Sequence, residues 1–199
     1  MAYVDEIILK QQREQKETNE IQEASFEGRV EEGSIVVRGK SIKFIRQEYL
    51  NHKISMMMPD DVRPMTEEEI NGAYLLGNRP QYLFHSDELQ VSLVLNHTEN
   101  PVQNTQTIKM AEVAAKLLEK AAMNGRIFRK KNIEKSRKVI ATVELVSNGY
   151  DEGVYTLNFY ISLENKLLLG NLNCVAKNME YMREIAMQIV ETIEINEAG

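Results

Sequence analysis

The three histidines, His52, His85 and His97, are the side chains of this sequence best suited to bind a metal ion. A metal site needs two or more ligands that converge on one point. His85 and His97 are predicted to lie at opposite ends of one strand, roughly 30 Å apart at ~3.3 Å per residue. They cannot share an ion at that distance, so the sequence predicts no metal site and no cofactor.

Cys174 is the single cysteine of the chain, and it could serve as a nucleophile only beside a histidine. It alternates with Leu168, Gly170 and Leu172, which places it on the apolar face of a predicted strand. A thiol in such surroundings behaves as a small hydrophobic group with a raised pKa. The sequence also lacks a Gly-x-Ser-x-Gly elbow, a Walker loop and a dinucleotide fingerprint. We therefore predict a core cysteine and a protein that is not an enzyme.

Acidic residues concentrate at Asp60, Asp61 and the run from Glu67 to Glu69. Thr66 precedes that run in a capping-box pattern, in which Thr66 accepts the Glu69 backbone N–H and the Glu69 side chain reaches back. Negative charge is also favoured at a helix N-terminus. The spacing matches no calcium-binding loop, so helix capping is the preferred interpretation.

Residues 125–138, called the basic segment below, depart from the acidic balance of the chain. The segment holds one acid, Glu134, and seven bases: Arg126, Arg129, Lys130, Lys131, Lys135, Arg137 and Lys138. Three interpretations remain open. The first is a solvated edge strand protected by lysine against edge-to-edge pairing, and the second is a docking patch for an acidic protein. The third is binding of nucleic acid or anionic lipid, for which a single interleaved Phe128 offers little stacking.

These residues need a scaffold, and the hydrophobic pattern predicts strands with a few helices. Period-two alternation predicts a hairpin over residues 25–38 with a turn at Glu32-Gly33, a second hairpin over residues 81–96 and three strands over residues 139–175. The capping box predicts a short helix over residues 67–76. Apolar residues spaced by three and four predict helices over residues 107–124 and 178–191. Each helix has one apolar side, so we predict an α+β fold with helices on both faces of one antiparallel sheet.

Composition limits the class of protein further. The chain has 199 residues and a formal net charge of −6, which argues against a dedicated nucleic-acid binder. Its start lacks the basic and apolar regions of a signal peptide, and no apolar run approaches the ~20 residues of a membrane span. We expect a soluble cytoplasmic protein.

The first 25 residues differ from the rest, because residues 10–20 contain no apolar side chain. They are interpreted as a solvated helix or tail, or as an arm anchored by Val4, Ile7 and Ile8 that binds a partner or swaps between protomers of a homo-oligomer. We divide the chain into an N-terminal helical and hairpin extension, residues 1–40, and an α+β domain, residues 41–199.

The order of these elements resembles the PsbP-like superfamily. The resemblance covers residues 41–195 and rests on three stretches in addition to that order, namely Ile54-Ser55-Met56-Met57-Met58-Pro59, Asn78-Arg79-Pro80-Gln81 and Ile189-Val190-Glu191-Thr192-Ile193. It implies an α/β/α sandwich around an antiparallel sheet and no particular reaction, since the known members are mainly binding or assembly factors. Some members of the superfamily bind the photosystem or the protein Ran. No residue here matches a photosystem-specific or Ran-binding motif, so the resemblance implies neither of these partners for this chain.

Two functions follow as predictions. The first is a bacterial, non-enzymatic binding or assembly factor that uses the basic segment against an acidic protein surface. The alternative is a small-molecule-binding or hydrolytic protein with a pocket between sheet and helix, for which Arg79 and Tyr82 are the candidate lining residues.

Overall fold

The computed structural model describes residues 26–74, 79–121, 126–135, 138–147 and 153–196. The strands are β1 (Phe26–Arg29), β2 (Ser34–Val37), β3 (Lys40–Tyr49), β4 (Ile54–Pro59), β5 (Arg63–Pro64), β6 (Tyr82–Ser86), β7 (Val91–Pro101), β8 (Arg126–Lys135), β9 (Lys138–Ser147), β10 (Val154–Leu163), β11 (Lys166–Val175) and β12 (Glu194–Ile195). The helices are α1 (Glu67–Ala73), α2 (Thr107–Ala121) and α3 (Met179–Glu191). This is the α+β composition that the sequence predicts.

The strands form two antiparallel sheets among the described residues, where the sequence predicted one. The larger sheet has seven strands in the order β5-β6-β7-β11-β10-β9-β8. The smaller sheet has five strands in the order β1-β2-β3-β4-β12. Alternation within a strand specifies which residues share a face but not which strands become neighbours, so the pattern could not separate the two sheets.

The predicted N-terminal hairpin is confirmed by the pairing of β1 with β2. Val30 to Glu32 form a single 3-10 turn between them, and Gly33 follows with φ of 87°, a conformation that glycine adopts without a steric penalty. β2 pairs in turn with β3, and Val30 and Ile35 are buried in the main hydrophobic cluster. The hairpin and the strands after residue 40 therefore share one core.

Two hydrophobic clusters hold the described elements together. The main cluster joins the smaller sheet, α3 and the larger sheet, and it includes Phe159 and Ile185. The second cluster lies under α2, where Ala111 and Ala115 pack with Val143 and neighbouring residues of the larger sheet. Small alanines on α2 let the helix approach the strands closely, and its opposite side is left to solvent.

The helix predictions are confirmed in type, and the capping box at the start of α1 is present. The Glu69 backbone N–H donates to the Thr66 hydroxyl, and the Glu69 carboxylate accepts the Thr66 backbone N–H. Residues 75–76 and 122–124, which end the first two predicted helices, lie outside the described residues, and so does the N-terminal arm over residues 1–25.

Candidate functional site

Most of the basic segment forms β8, the terminal strand of the larger sheet. Arg126, Arg129, Lys130, Lys131 and Lys135 lie on β8, and Lys138 begins β9, while Arg137 lies outside the described residues. β8 pairs with β9 along its inner side, with an irregularity between Ile127 and Arg129. Among the described strands none pairs with its outer side. Five of the seven bases therefore belong to an edge strand, which is the first of the three environments expected for them.

Arg129 turns inward from that edge to a fully buried carboxylate. The Arg129 Nε–H donates to Glu144 Oε1 at 2.5 Å, and the Arg183 Nε–H donates to Glu144 Oε2 at 2.9 Å. The Tyr155 hydroxyl donates to the same Oε2 at 3.2 Å. Glu144 has 0% relative exposure, and a carboxylate taken out of water needs such compensation. These four residues form what we call the Glu144 network.

Strand geometry explains how the Glu144 network forms. Arg129 and Glu144 are register partners on β8 and β9, so their side chains leave the sheet on the same face. Arg183 reaches them from α3. The corresponding signal in the sequence is a single acid, Glu144, within the apolar run from Val139 to Leu145, and it is not among the predicted functional residues.

Lys131 and Lys135 also contact α3, at its C-terminal end. Lys131 Nζ lies 2.6 Å from Glu191 Oε1, and Lys135 Nζ donates to the backbone carbonyl of Glu191 at 2.9 Å. Cations are favoured at this end of a helix, where the last carbonyls lack backbone partners. Part of the positive charge of the basic segment is thus used inside the molecule.

Burial raises the pKa of two groups, one in the Glu144 network and one in the neighbouring core. Burial raises the pKa of the Tyr155 hydroxyl, and the nearby Glu144 carboxylate raises it further. Burial likewise raises the pKa of the Cys174 thiol to about 12. Both groups stay protonated at neutral pH, which suits a packed core and not a nucleophile.

A cavity of 320 Å³ lies at the C-terminal end of β8, between the two sheets. Lys135 and Lys138 line it from the larger sheet, together with Ile140. Ile193 and Ile195 line it from the C-terminal stretch that ends in β12. Two bases of the basic segment therefore line a concave site together with residues of the C-terminal stretch, which the sequence did not predict.

The cleft residues suggested by the sequence lie elsewhere. Arg79 lies 3.1 Å from Glu67 and donates to the Asn71 side chain at 2.6 Å. Tyr82 is 42% exposed on β6. Neither residue lines the cavity beside β8, so the structure places the sequence-predicted cleft and this cavity at different sites.

Each histidine has its own local partner. His52 contacts Glu48, the His85 Nδ1 lies 3.0 Å from the Ser92 hydroxyl, and the His97 Nε2 lies 3.2 Å from the Leu163 carbonyl. The first contact links β3 to the turn that follows it, the second joins the paired strands β6 and β7, and the third links β7 to the end of β10.

One acidic cluster stands out within the described ranges. The carboxylates of Asp60, Asp61 and Glu88 lie within 4.8 Å of one another. Asp61 accepts hydrogen bonds from the Ser86 hydroxyl and from the Glu88 backbone N–H. These bonds tie the loop after β4 to the turn after β6, so Asp61 has a structural role.

None of the helices in the described part of the chain combines the length and the apolar character that crossing a membrane requires.

Comparison with known proteins identifies the fold. No protein-family model matches the sequence, and no curated protein matches it. Among solved structures, the PsbP protein of the cyanobacterium Synechocystis sp. PCC 6803 superposes with a TM-score of 0.57 at 12% identity, covering 77% of this chain and 92% of that one. The chain therefore has a PsbP-like fold.

Two further structures match with lower scores. LpqN of Mycobacterium tuberculosis, described as involved in cell envelope biogenesis, has a TM-score of 0.48 at 12% identity and covers 78% of this chain and 92% of its own. A Pseudomonas aeruginosa protein described as a putative regulator has a TM-score of 0.45 at 10% identity. That match covers 77% of this chain and 99% of the Pseudomonas protein. At such identities a common fold does not transfer a function.

Proposed function

We propose that this protein is a cytoplasmic, non-enzymatic bacterial accessory factor that binds an acidic segment of another protein along the outer edge of β8. The observation that carries the proposal is that a ten-residue basic strand ends the larger sheet, with no described strand on its outer side. An exposed strand edge presents backbone N–H and C=O groups to which an extended segment can add. Charge complementarity would then select acidic segments.

The alternation of side chains divides the bases of β8 between two roles. Arg129 and Lys131 contact residues of α3, so Lys130 between them points to the other face of the sheet. Lys130 is exposed. We assign Arg129 and Lys131 to holding the strand and Lys130 to meeting the partner.

The same alternation supports a layered arrangement around the larger sheet. On β9, Ile140 belongs to the main cluster with α3, while its neighbour Ala141 belongs to the cluster under α2. Adjacent strand residues point to opposite faces. From this we infer that α2 and α3 cover opposite faces, the α/β/α order that the resemblance implies, with β8 left at the rim as the docking edge.

Anchoring by β9 and α3 makes the edge suitable for docking. The Arg129 contact with Glu144 of β9 and the Lys131 contact with Glu191 of α3 fix β8 at two points. A strand held in this way loses little conformational freedom when a partner adds to it, which lowers the cost of binding. The irregularity between Ile127 and Arg129 limits the regular edge to the stretch from Arg129 to Lys135.

Affinity purification from the native host tests the proposal. Lys130→Glu should reduce recovery of the partner about fivefold or more, because it places a like charge opposite the acidic segment. Lys43→Glu is the control for net charge, since it makes the same charge change on the exposed face of the smaller sheet; it also removes a 3.7 Å contact with Asp60, so thermal unfolding verifies that both variants are folded. Recovery by the wild type should also fall as salt rises.

Partner recovery that is insensitive to both salt and Lys130→Glu would contradict the proposal. Equal losses in Lys130→Glu and Lys43→Glu would contradict it as well, because they would show a dependence on net charge and not on the β8 edge.

A further inference from the structure

The outer edge of β8 presents the backbone groups of three residues. Val139 is the register partner of Glu134, and its backbone N–H donates to the Asn104 side chain at 2.9 Å instead of to β8. Glu134 and Val139 therefore form a pair without hydrogen bonds, and such pairs alternate with hydrogen-bonded pairs along an antiparallel ladder. It follows that the backbone N–H and C=O groups of Lys130, Asn132 and Glu134 point outward from the sheet.

The side chains of these three residues lie on one face of the larger sheet. Arg129 and Lys131 contact residues of α3, so the positions that alternate with them point away from α3. Lys130, Asn132 and Glu134 are all exposed. Along the strand they are a base, an amide and an acid. A second copy of β8 that runs antiparallel presents an acid, an amide and a base.

Two antiparallel β8 edges centred on Asn132 therefore place opposite charges together. Lys130 lies opposite Glu134 of the second copy, Glu134 lies opposite Lys130 of that copy, and the two asparagines face each other. Contacts that occur twice in this way are the mark of a two-fold symmetric interface. Lysine on an edge strand ordinarily opposes pairing, but in this register an acid faces it. A shift by two residues in either direction brings Lys130 opposite no acid.

The length of the edge and the charges on its other face agree with this register. The irregularity before Arg129 and the end of β8 at Lys135 bound a regular stretch whose midpoint is Asn132. On the face toward α3, Arg129 lies opposite Lys135 of the second copy. Arg129 pairs with Glu144 and Glu184, and Lys135 donates to the C-terminal end of α3. Each of these cations is thus bound to acceptors of its own chain.

From this complementarity we infer that two copies of this protein pair through β8, antiparallel about Asn132, and continue the larger sheet across a two-fold axis. Three hydrogen-bonded residue pairs supply about six backbone hydrogen bonds, and the two cross-strand ion pairs add to them. Pairing covers the edge on which the acidic segment docks, so the second copy and that segment exclude each other. Only this last consequence rests on the proposed function.

Sedimentation equilibrium of the purified protein, with no other protein present, tests the pairing. Lys130→Glu and Glu134→Lys should each weaken dimerisation about tenfold or more, because each replaces two attractive pairs by two repulsive ones. An equimolar mixture of these two variants should dimerise again, since the acids of one chain then face the lysines of the other. Lys43→Glu, the control for net charge, should leave the dimer intact.

Disulfide cross-linking tests the register. Residues of a hydrogen-bonded antiparallel pair have Cα atoms about 5.5 Å apart, a distance that a disulfide spans. Asn132→Cys should therefore cross-link readily under mild oxidation. Lys130→Cys should not, because the two copies of position 130 lie four residues apart along the strands, roughly 14 Å at 3.4 Å per residue. The native Cys174 is buried and does not compete.

Three results would each overturn the pairing. They are a wild type that stays monomeric at a few hundred micromolar, a mixture of Lys130→Glu and Glu134→Lys that dimerises no better than either variant alone, and equal cross-linking of Asn132→Cys and Lys130→Cys. Thermal unfolding verifies that each variant is folded. These measurements involve no partner protein, so their outcome is independent of the affinity purification. Failure to recover a partner with the dimer intact would count against the proposed function alone.

Discussion

Replacing Glu144 by glutamine should destabilise the protein far more than replacing any exposed acid. Glu144 accepts from Arg129, Arg183 and Tyr155 with no exposure of its own. Glutamine keeps the size of the side chain but removes the charge, and it places an NH2 donor where one of the two guanidiniums now finds an acceptor oxygen. The two guanidiniums would then lose the counterion that they share.

The size of the effect follows from burial. Removing one partner of a buried ion pair costs about 3–5 kcal/mol. The Arg129 and Arg183 side chains are 34% and 30% exposed, so water partly compensates the stranded charges. We therefore expect a loss of about 2–3 kcal/mol, which corresponds to a fall in Tm of roughly 5–10 °C for a chain of this length.

Urea unfolding followed by circular dichroism measures this difference. Glu184→Gln is the matched control, because Glu184 lies 3.5 Å from Arg129 but is 57% exposed, and an exposed pair contributes about 0–1 kcal/mol. The variant with Met at positions 129 and 183, Leu at position 144 and Phe at position 155 should recover most of the loss, since apolar replacement of a whole buried ionic group is often neutral when no hydroxyl is left without a partner. If Glu144→Gln unfolds within about 0.5 kcal/mol of the wild type, the Glu144 network does not stabilise the fold as argued.

Three further predictions concern the core and the start of α1. Gly170→Ala should destabilise by at least about 1–3 kcal/mol in urea unfolding, because its Cβ would lie 2.0 Å from Cζ of Phe159; Phe159→Leu should restore part of the loss, and an undiminished stability would contradict the packing described. The Cys174 thiol, with its pKa raised to about 12 by burial, should not react with a chromogenic disulfide reagent at pH 8 until the protein unfolds, and rapid labelling of the native state would contradict its burial. Hydrogen bonding from Arg63 lowers the pKa of Glu69 from 4.5 to about 2. The stability that the Glu69 carboxylate contributes is therefore complete above pH 4.5 and is lost as the pH falls toward 2. NMR titration should place the Glu69 midpoint near 2 in the wild type and nearer 4.5 in Arg63→Met.

Local patterns in the sequence predicted the elements that depend on neighbouring residues. The capping box at Thr66 and Glu69 needs only three residues of spacing. Leu89, Val91, Leu93 and Leu95 alternate and are all buried. In both cases the interactions that decide the structure lie within one element or one hairpin.

The features that the sequence did not predict depend on contacts between distant segments. The basic segment appeared as a block of seven like charges, yet Arg129 and Lys131 meet acids of α3 that lie 55 and 60 positions later. The cavity likewise combines Lys135 and Lys138 with residues of the C-terminal stretch. Charge patterns along a chain cannot show such compensation, because it depends on which elements become neighbours in space.

The position of α3 has a consequence for how the chain folds during synthesis. The Val30 backbone N–H donates to the Gln188 side chain, which comes 158 positions later, and β12 pairs with β4 after α3 has ended. The earliest strands therefore leave the ribosome long before the helix that completes their core. Their apolar faces stay exposed to solvent until that helix has been made. Such exposure slows folding and favours association with chaperones. We expect α3 and β12 to be the last elements to dock on this core.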